Sequence, residues 1–452
     1  MNSVNVIIGI IMILSFFGMI WYCVKGYNLM VGFFIMAIFW TGLALVGNKI
    51  VPNSSMAKLD FIGVLTNVFQ DGPQNYGKSI LVNVFFGAFF GRILMSTGIA
   101  STLIRKTVEL GGDRPRVTMT LLCVATSVIF TTMTGIGPVI SIAVIVIPIL
   151  LSLGLPANVT LFAFMGSIMS GIFANVVNFN QYQAMFVAAN SGFSTYTYNE
   201  YFKFGLICMI ITIVVVLVVA NIALNKNKLS HAWAAKTSST SADNNAPAIS
   251  WIAVILPVIG VVAFKFPIIL GFLVSGFYAL ATCRKLRGSF VSICSMLAKL
   301  FADGAIDVAP MVGFLLMLSM FNNAAIFAAP YFQTLLGNFI PTSTLIIAVA
   351  FAILTPLGFF RGPLNLVGCG AAILVVVLSS PANFPIAFIY PLFAVTTIAP
   401  QHLDITQSWV AWGFGYTRVT TKDYMKMSIP TGWIVGFICC IIAYVMYGGL
   451  VG

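Results

Sequence analysis

Arg361 is the residue around which any chemistry in this sequence has to be organised. It stands in Thr355-Pro356-Leu357-Gly358-Phe359-Phe360-Arg361-Gly362-Pro363-Leu364-Asn365, inside an apolar stretch and far from any basic loop. A charge at such a position is costly and is kept for function or for a buried partner. The planar guanidinium fork matches a carboxylate with two parallel hydrogen bonds, so it offers recognition of a small organic anion. The alternative is a structural strut that snorkels or pairs with a buried acid. Gly362, Asn365 and Thr355 share its segment as candidate binding residues. A second segment, Thr131-Thr132-Met133-Thr134-Gly135-Ile136-Gly137-Pro138, adds Thr134, Gly137 and the following Ser141. For proton transfer the candidates are His402 and Asp404, in Ala399-Pro400-Gln401-His402-Leu403-Asp404, since an imidazole beside a carboxylate takes up and releases a proton near neutral pH. An interfacial capping network is the other reading of that pair. Arg92, mid-run in an earlier apolar stretch, fits a structural pair or snorkelling at least as well as substrate contact.

The elements that position these residues must be membrane spans. Of 452 residues 60% are hydrophobic and 7% charged, with a mean hydropathy of +1.05, whereas soluble domains carry about 25% charged residues. That excludes a soluble enzyme, a nucleic-acid-binding domain and a disordered chain. The net charge of +12 sits in short loops between apolar runs, the bias of cytoplasmic loops. Eight scattered cysteines, without a CxxC or Cys/His cluster, support neither a disulfide framework nor a metal site. Val4–Cys23 lacks a basic leader and a small-residue cleavage site, so it reads as a retained first helix.

Further apolar runs extend to Met427–Val445, and two are split by Gly and Pro, around Thr131–Pro138 and Thr355–Pro363. Each split reads as a pair of half-helices with Pro near a helix start, where its missing N–H is harmless. The starts would aim free N–H groups and a positive dipole end at one point. Kinks within ordinary packed spans are the alternative. The polar stretch Asn225–Ser250 divides the chain into a first unit, 1–225, a cytoplasmic linker, 226–249, and a second unit, 250–452. The units share ordered matches: Val68-Phe69-Gln70-Asp71-Gly72 with Leu300-Phe301-Ala302-Asp303-Gly304, Gly137-Pro138 with Gly362-Pro363, Pro156-Ala157-Asn158 with Pro381-Ala382-Asn383, and Glu200-Tyr201-Phe202-Lys203 with Asp423-Tyr424-Met425-Lys426. The Asp-Gly pairs, each before a span, read as helix caps. With the linker in the cytoplasm, 15 Lys and Arg fall on its side and 5 on the other, which makes the copies antiparallel and puts both termini outside. The expected fold is therefore an all-α polytopic membrane protein with two inverted-topology repeats. Each repeat has about five transmembrane helices and a re-entrant or broken-helix hairpin.

Three stretches resemble the ion transporter superfamily, and within it the gluconate permease and citrate carrier branch. Gly91-Arg92-Ile93-Leu94-Met95-Ser96-Thr97-Gly98-Ile99-Ala100 is similar to that branch's G-x-x-L-x-x-S-G-x-A stretch, with Thr97 inserted. The Gly/Pro break before a small, apolar half-helix is similar in both copies. His402-Leu403-Asp404, Ser408-Trp409, Tyr416, Thr420 and Tyr424 resemble the segment before the last span of gluconate permeases. The resemblance implies a homodimer that carries a small organic anion with a cation by elevator-like movement of a core holding both broken helices.

Residues and resemblance together lead to a symporter of a carboxylate or sugar acid in the cell membrane, the inner membrane of a bacterium, surrounded by lipid and without a nucleic-acid partner. Arg361 clamps the anion, His402 and Asp404 carry the proton, and no cofactor is needed beyond the coupling ion, H⁺, with Na⁺ as the alternative. A cation/proton antiporter and a channel remain as rivals. A membrane-embedded enzyme would need paired carboxylates, a metal cluster or an activated nucleophile, and no HExxH, aspartate-rich repeat or Gly-x-Ser-x-Gly occurs.

Overall fold

Backbone polar groups in hydrocarbon must be satisfied within the segment itself, and the described residues form helices and loops without a strand. The computed structural model describes residues 3–450 apart from 26, 53–55, 57–58, 113, 227–244, 337–339, 369 and 379–382. Most of the central linker, and Pro381-Ala382, lie outside the described residues. The chain opens with α1 (Ser3–Val24) and α2 (Leu29–Ile50). Next, α3 (Phe61–Thr66), α4 (Gly72–Tyr76) and α5 (Val82–Ser96) run on as one helical rod through two π-helical segments. Beyond it come α6 (Ile99–Gly111), α7 (Pro115–Ile129), α8 (Ile136–Ser152), α9 (Ala157–Phe173), α10 (Val176–Ala189) and α11 (Tyr198–Lys226). After the linker follow α12 (Leu256–Phe264), α13 (Ile268–Thr282), α14 (Phe290–Leu336), α15 (Thr344–Leu354), α16 (Gly370–Leu378), α17 (Ile386–Gln401), α18 (Ser408–Thr417) and α19 (Thr421–Tyr447).

Among the described residues, five helices are long and apolar enough to cross a membrane, and two bent pairs, α5 with α6 and α9 with α10, raise the number to seven. At 47 residues, α14 runs about 70 Å at 1.5 Å per residue, over twice the ~30 Å hydrocarbon thickness.

The first break falls where the Gly/Pro pattern places it. After α7, residues 130–135 leave the helix, Gly135 takes a φ of 95°, and α8 starts with Pro138 in its first turn. The freed carbonyls find a side chain. Asn175 Nδ2 donates to the carbonyls of Phe130 and Met133 at 2.9 and 3.0 Å, while its Oδ1 accepts from Val177 and Asn178 N–H and caps α10. The same asparagine turns α9 into α10 through 62°. Ala157–Val177, which reads as one span, is thus bent at a capping residue with no Gly or Pro at 174–175.

The second break differs from its expected form. A 3₁₀ segment, Thr355–Arg361, follows α15, and the next helix, α16, begins only at Gly370. Gly362, Pro363 and Asn365 lie in the loop and not at a helix start. The reason is local: Phe360 and Arg361 both occupy the left-handed region, with φ of 56° and 58°, which non-glycine residues rarely adopt. Asn365 then closes the loop on itself, donating to Gly358 O at 3.0 Å and accepting from Val367 N–H at 2.9 Å.

Neither Asp71-Gly72 nor Asp303-Gly304 caps a helix; both lie inside continuous helical runs. Their glycines serve close approach. A Cβ on Gly72 would lie 3.1 Å from Ser319 O and Asn323 Nδ2, and one on Gly304 would lie 2.9 Å from Phe89 N. The starts of α11 and α19 are also built alike. Thr197 N–H donates to Glu200 Oε2 at 2.6 Å, and Thr420 Oγ1 donates to Asp423 Oδ2 at 2.7 Å while accepting from Asp423 N–H. Each is one half of a capping box, and a threonine hydroxyl donating to the acid three residues on is common to both.

Packing sorts the helices into two groups. One holds α1, α2 and α5 around the long α14, with α13 packed on α5; the other holds α7, α9, α11, α15, α17 and α19. The two broken segments belong to the boundary between them.

Candidate binding cavity

A cavity of about 590 Å³ opens where the groups meet, within the range that holds small ligands. Its walls come from the first break (Thr134, Gly135, Ile136), the turn after α17 (Gln401, His402, Gln407), α10 (Asn178, Gln181), α14 (Asp307, Met311, Phe314), the tip of the α1–α2 hairpin (Tyr27, Asn28) and Arg361. Arg361 and His402, far apart in sequence, thus face one space.

Arg361 is 6% exposed. Its Nη2 donates to Gln407 Oε1 at 2.6 Å, its Nη1 reaches Val367 O at 3.4 Å, and its guanidinium lies 5.8 Å from the Phe314 ring. Gln407 and Val367 O thus hold two of its nitrogens. The strained turn that presents it is held by Asp404, whose Oδ2 accepts from Phe360 N–H at 2.5 Å and whose Oδ1 accepts from Thr406 N–H at 2.8 Å. Strain of this kind persists only where surroundings over-determine it.

His402 and Asp404 therefore go to different partners. The imidazole stacks on Trp409, with centroids 5.6 Å apart, and its Nδ1 lies 3.4 Å from Ile398 O. Asp404 is not among the residues that line the cavity; both its oxygens serve backbone N–H groups. Removing this carboxylate strands a buried donor, so Asp404→Ala is expected to cost about 1–3 kcal/mol, read as a lowered melting temperature in detergent. Asp404→Asn, which keeps one acceptor, should cost less.

Of the other expected binding residues, Thr134 lines the cavity and Gly137 lies beside it. Ser141, Thr355, Gly362 and Asn365 do not line it. Thr355 is buried, donates to Phe351 O at 2.8 Å and packs on Gly436. Gly362 is a turn residue whose Cβ would meet Leu357 O at 2.1 Å, and Asn365 is spent on its loop. Residues near a break serve either the cavity or the break's own backbone, and spacing does not separate the two.

The unanticipated member of the wall is Asp307. Its carboxylate accepts two hydrogen bonds from Arg92, Nε to Oδ2 at 2.6 Å and Nη2 to Oδ1 at 2.5 Å, and it presses on the first turn of α8, where a Cβ on Gly137 would lie 2.2 Å from its carboxyl carbon. The available signal was an acid in one apolar helix and an arginine in another, which at membrane depth tend to pair. Polar atoms without a partner among the described residues complete the wall: Gln401 Oε1, Asn178 Oδ1, Gln407 Nε2 and Trp409 Nε1.

No family model and no curated protein matches the chain in sequence. In three dimensions it is similar to the Alcanivorax borkumensis YdaH transporter, whose crystal structure is described as having an unusual topology. The TM-score is 0.63 at 12% identity, over 94% of this chain and 100% of that one. This chain shares the fold of a membrane transporter. With its several apolar helices it is a multi-pass membrane protein. The likeness is one of fold and does not extend to the gluconate permease and citrate carrier branch.

Proposed function

We propose that this protein is a secondary active transporter that carries a small organic acid anion, a carboxylate or sugar acid, in symport with protons. The observation that carries this reading is the buried Arg361 guanidinium on the wall of a small-molecule-sized cavity between two groups of helices. His402, in the same wall and free of Asp404, is the proton site. The group of α7, α9, α11, α15, α17 and α19 moves against the group around α14, as in an elevator, with both breaks at the boundary between them.

The two units are inverted repeats in this reading, and the packing supports it. A shift of 232 residues carries Gly72 onto Gly304 and Ala88 onto Met320. Gly72 rests on Ser319 and Asn323, while Gly304 rests on Ala88 and Phe89. Such reciprocal contacts are what a two-fold relation between copies produces. The threonine–acid bonds that open α11 and α19 follow the same logic.

One observation favours a second reading. A cation/proton antiporter wants a buried carboxylate at its centre, and Asp307 stands in the cavity wall. However, Arg92 pairs with both its oxygens, which neutralises the charge a cation would need.

The test is uptake of radiolabelled carboxylates and sugar acids into proteoliposomes under an inward proton gradient. Saturable uptake with counterflow, lost on collapsing the gradient, is the expected result. Uptake that ignores the proton gradient and follows Na⁺ would remove the proton assignment, and uptake without saturation or counterflow would indicate a channel.

A further inference from the structure

We propose that Asp307 sets the charge of the cargo: its carboxylate lies against the first turn of α8 and engages Arg92, so the cavity accepts one carboxylate, at Arg361, and rejects a second. This rests on the carboxylate reading of the cavity above. The start of α8 carries a positive dipole end and free N–H groups, the usual seat of an anion. Here that seat faces a carboxylate belonging to the protein. Asp307 sits against Gly137, the second residue of α8, so closely that a side chain there would collide with it. Arg92, the nearby cation that a second substrate carboxylate could have used, has its Nε–Nη2 edge engaged by the same acid.

The remaining wall carries little charge. Among the described residues that line the cavity, the charged ones are Asp307 and Arg361. Between them lie apolar side chains, and the buried amides of Gln401 and Asn178 each present an oxygen without a partner. Asp307, Met311 and Phe314 fall on one face of α14. The Arg361 guanidinium rests near Phe314, so seven residues, about 10 Å along the helix, separate its level from that of Asp307. A dicarboxylate anchored on Arg361 and reaching toward α8 would bring its free end to a carboxylate, not to a donor. A monocarboxylate whose other end is apolar or hydroxylated meets no such opposition.

The experiment is a thermal-shift titration of purified full-length protein with lactate, gluconate and benzoate against succinate, glutarate and citrate. Wild type should be stabilised by at least one monocarboxylate, with half-maximal shift at a concentration at least tenfold below that for any di- or tricarboxylate. Asp307→Asn, which frees Arg92 and the helix start, should narrow that gap to less than threefold. The double variant Arg92→Gln/Asp307→Asn, which leaves no unpaired charge, should narrow it too and guards against misfolding of the single variant. Equal response of wild type to mono- and dicarboxylates, or a gap unchanged in both variants, would overturn the role of Asp307. Absence of a shift with every acid would overturn the carboxylate reading itself and this inference with it.

Discussion

Arg361→Ala is expected to weaken carboxylate binding by about 10²–10³-fold and to abolish measurable uptake in proteoliposomes. Truncating one partner of a buried, hydrogen-bonded charge pair costs about 2–5 kcal/mol, and each 1.4 kcal/mol is a factor of about ten. The loss should be specific to transport. The turn beneath the fork is held by Asp404 through the Phe360 backbone, a bond the substitution leaves in place. Arg361→Lys keeps the charge but not the paired donors, so it should fall between alanine and wild type. Unchanged elution on size exclusion together with lost uptake is the expected pair of results. Wild-type rates in Arg361→Ala would remove the guanidinium from the mechanism.

The second large effect is on stability. Arg92 and Asp307 join α5 to α14 across 215 residues of sequence, and Asp307 has only 9% of its side chain exposed, against 29% for Arg92. Removing one member of a buried pair leaves an uncompensated charge and costs 3–5 kcal/mol where burial is complete. Partial exposure of the arginine reduces this to about 2–4 kcal/mol for Arg92→Ala. The double variant Arg92→Ala/Asp307→Ala should recover most of the loss, because replacing both partners removes the stranded charge along with the bond. Melting temperatures of the four proteins in detergent provide the cycle. Additive losses would mean that the two residues act separately.

These expectations draw on the sequence to different degrees. The membrane class, the first break and the presence of a buried arginine at the second were legible because each depends on a residue type that is expensive where it stands. A guanidinium in an apolar run, a Gly-Ile-Gly-Pro stretch within a span and a charge fraction too low for a soluble surface all have few physical explanations. The bend at Asn175 was hidden because its signal is a single capping asparagine, which resembles any polar residue until its carbonyl partners are known. Asp404 and Asn365 were misplaced for a related reason. A carboxylate or amide beside a break has equal claim to the cavity and to the backbone that the break exposes, and in both cases the backbone won.

By itself, the sequence determined that this chain lives in a membrane, that its helices are interrupted at a glycine-proline segment, and that an arginine stands at one interruption. These follow from the cost of putting polar or unpaired groups into hydrocarbon, which local composition reveals. Only the tertiary structure decided that Arg361 and His402 share one cavity and that Arg92 closes on Asp307. It also decided that Asp307, not a loop residue, sits at the start of α8. Those outcomes depend on which helix faces come together across hundreds of residues, and close approach at Gly137 is what permits the last of them.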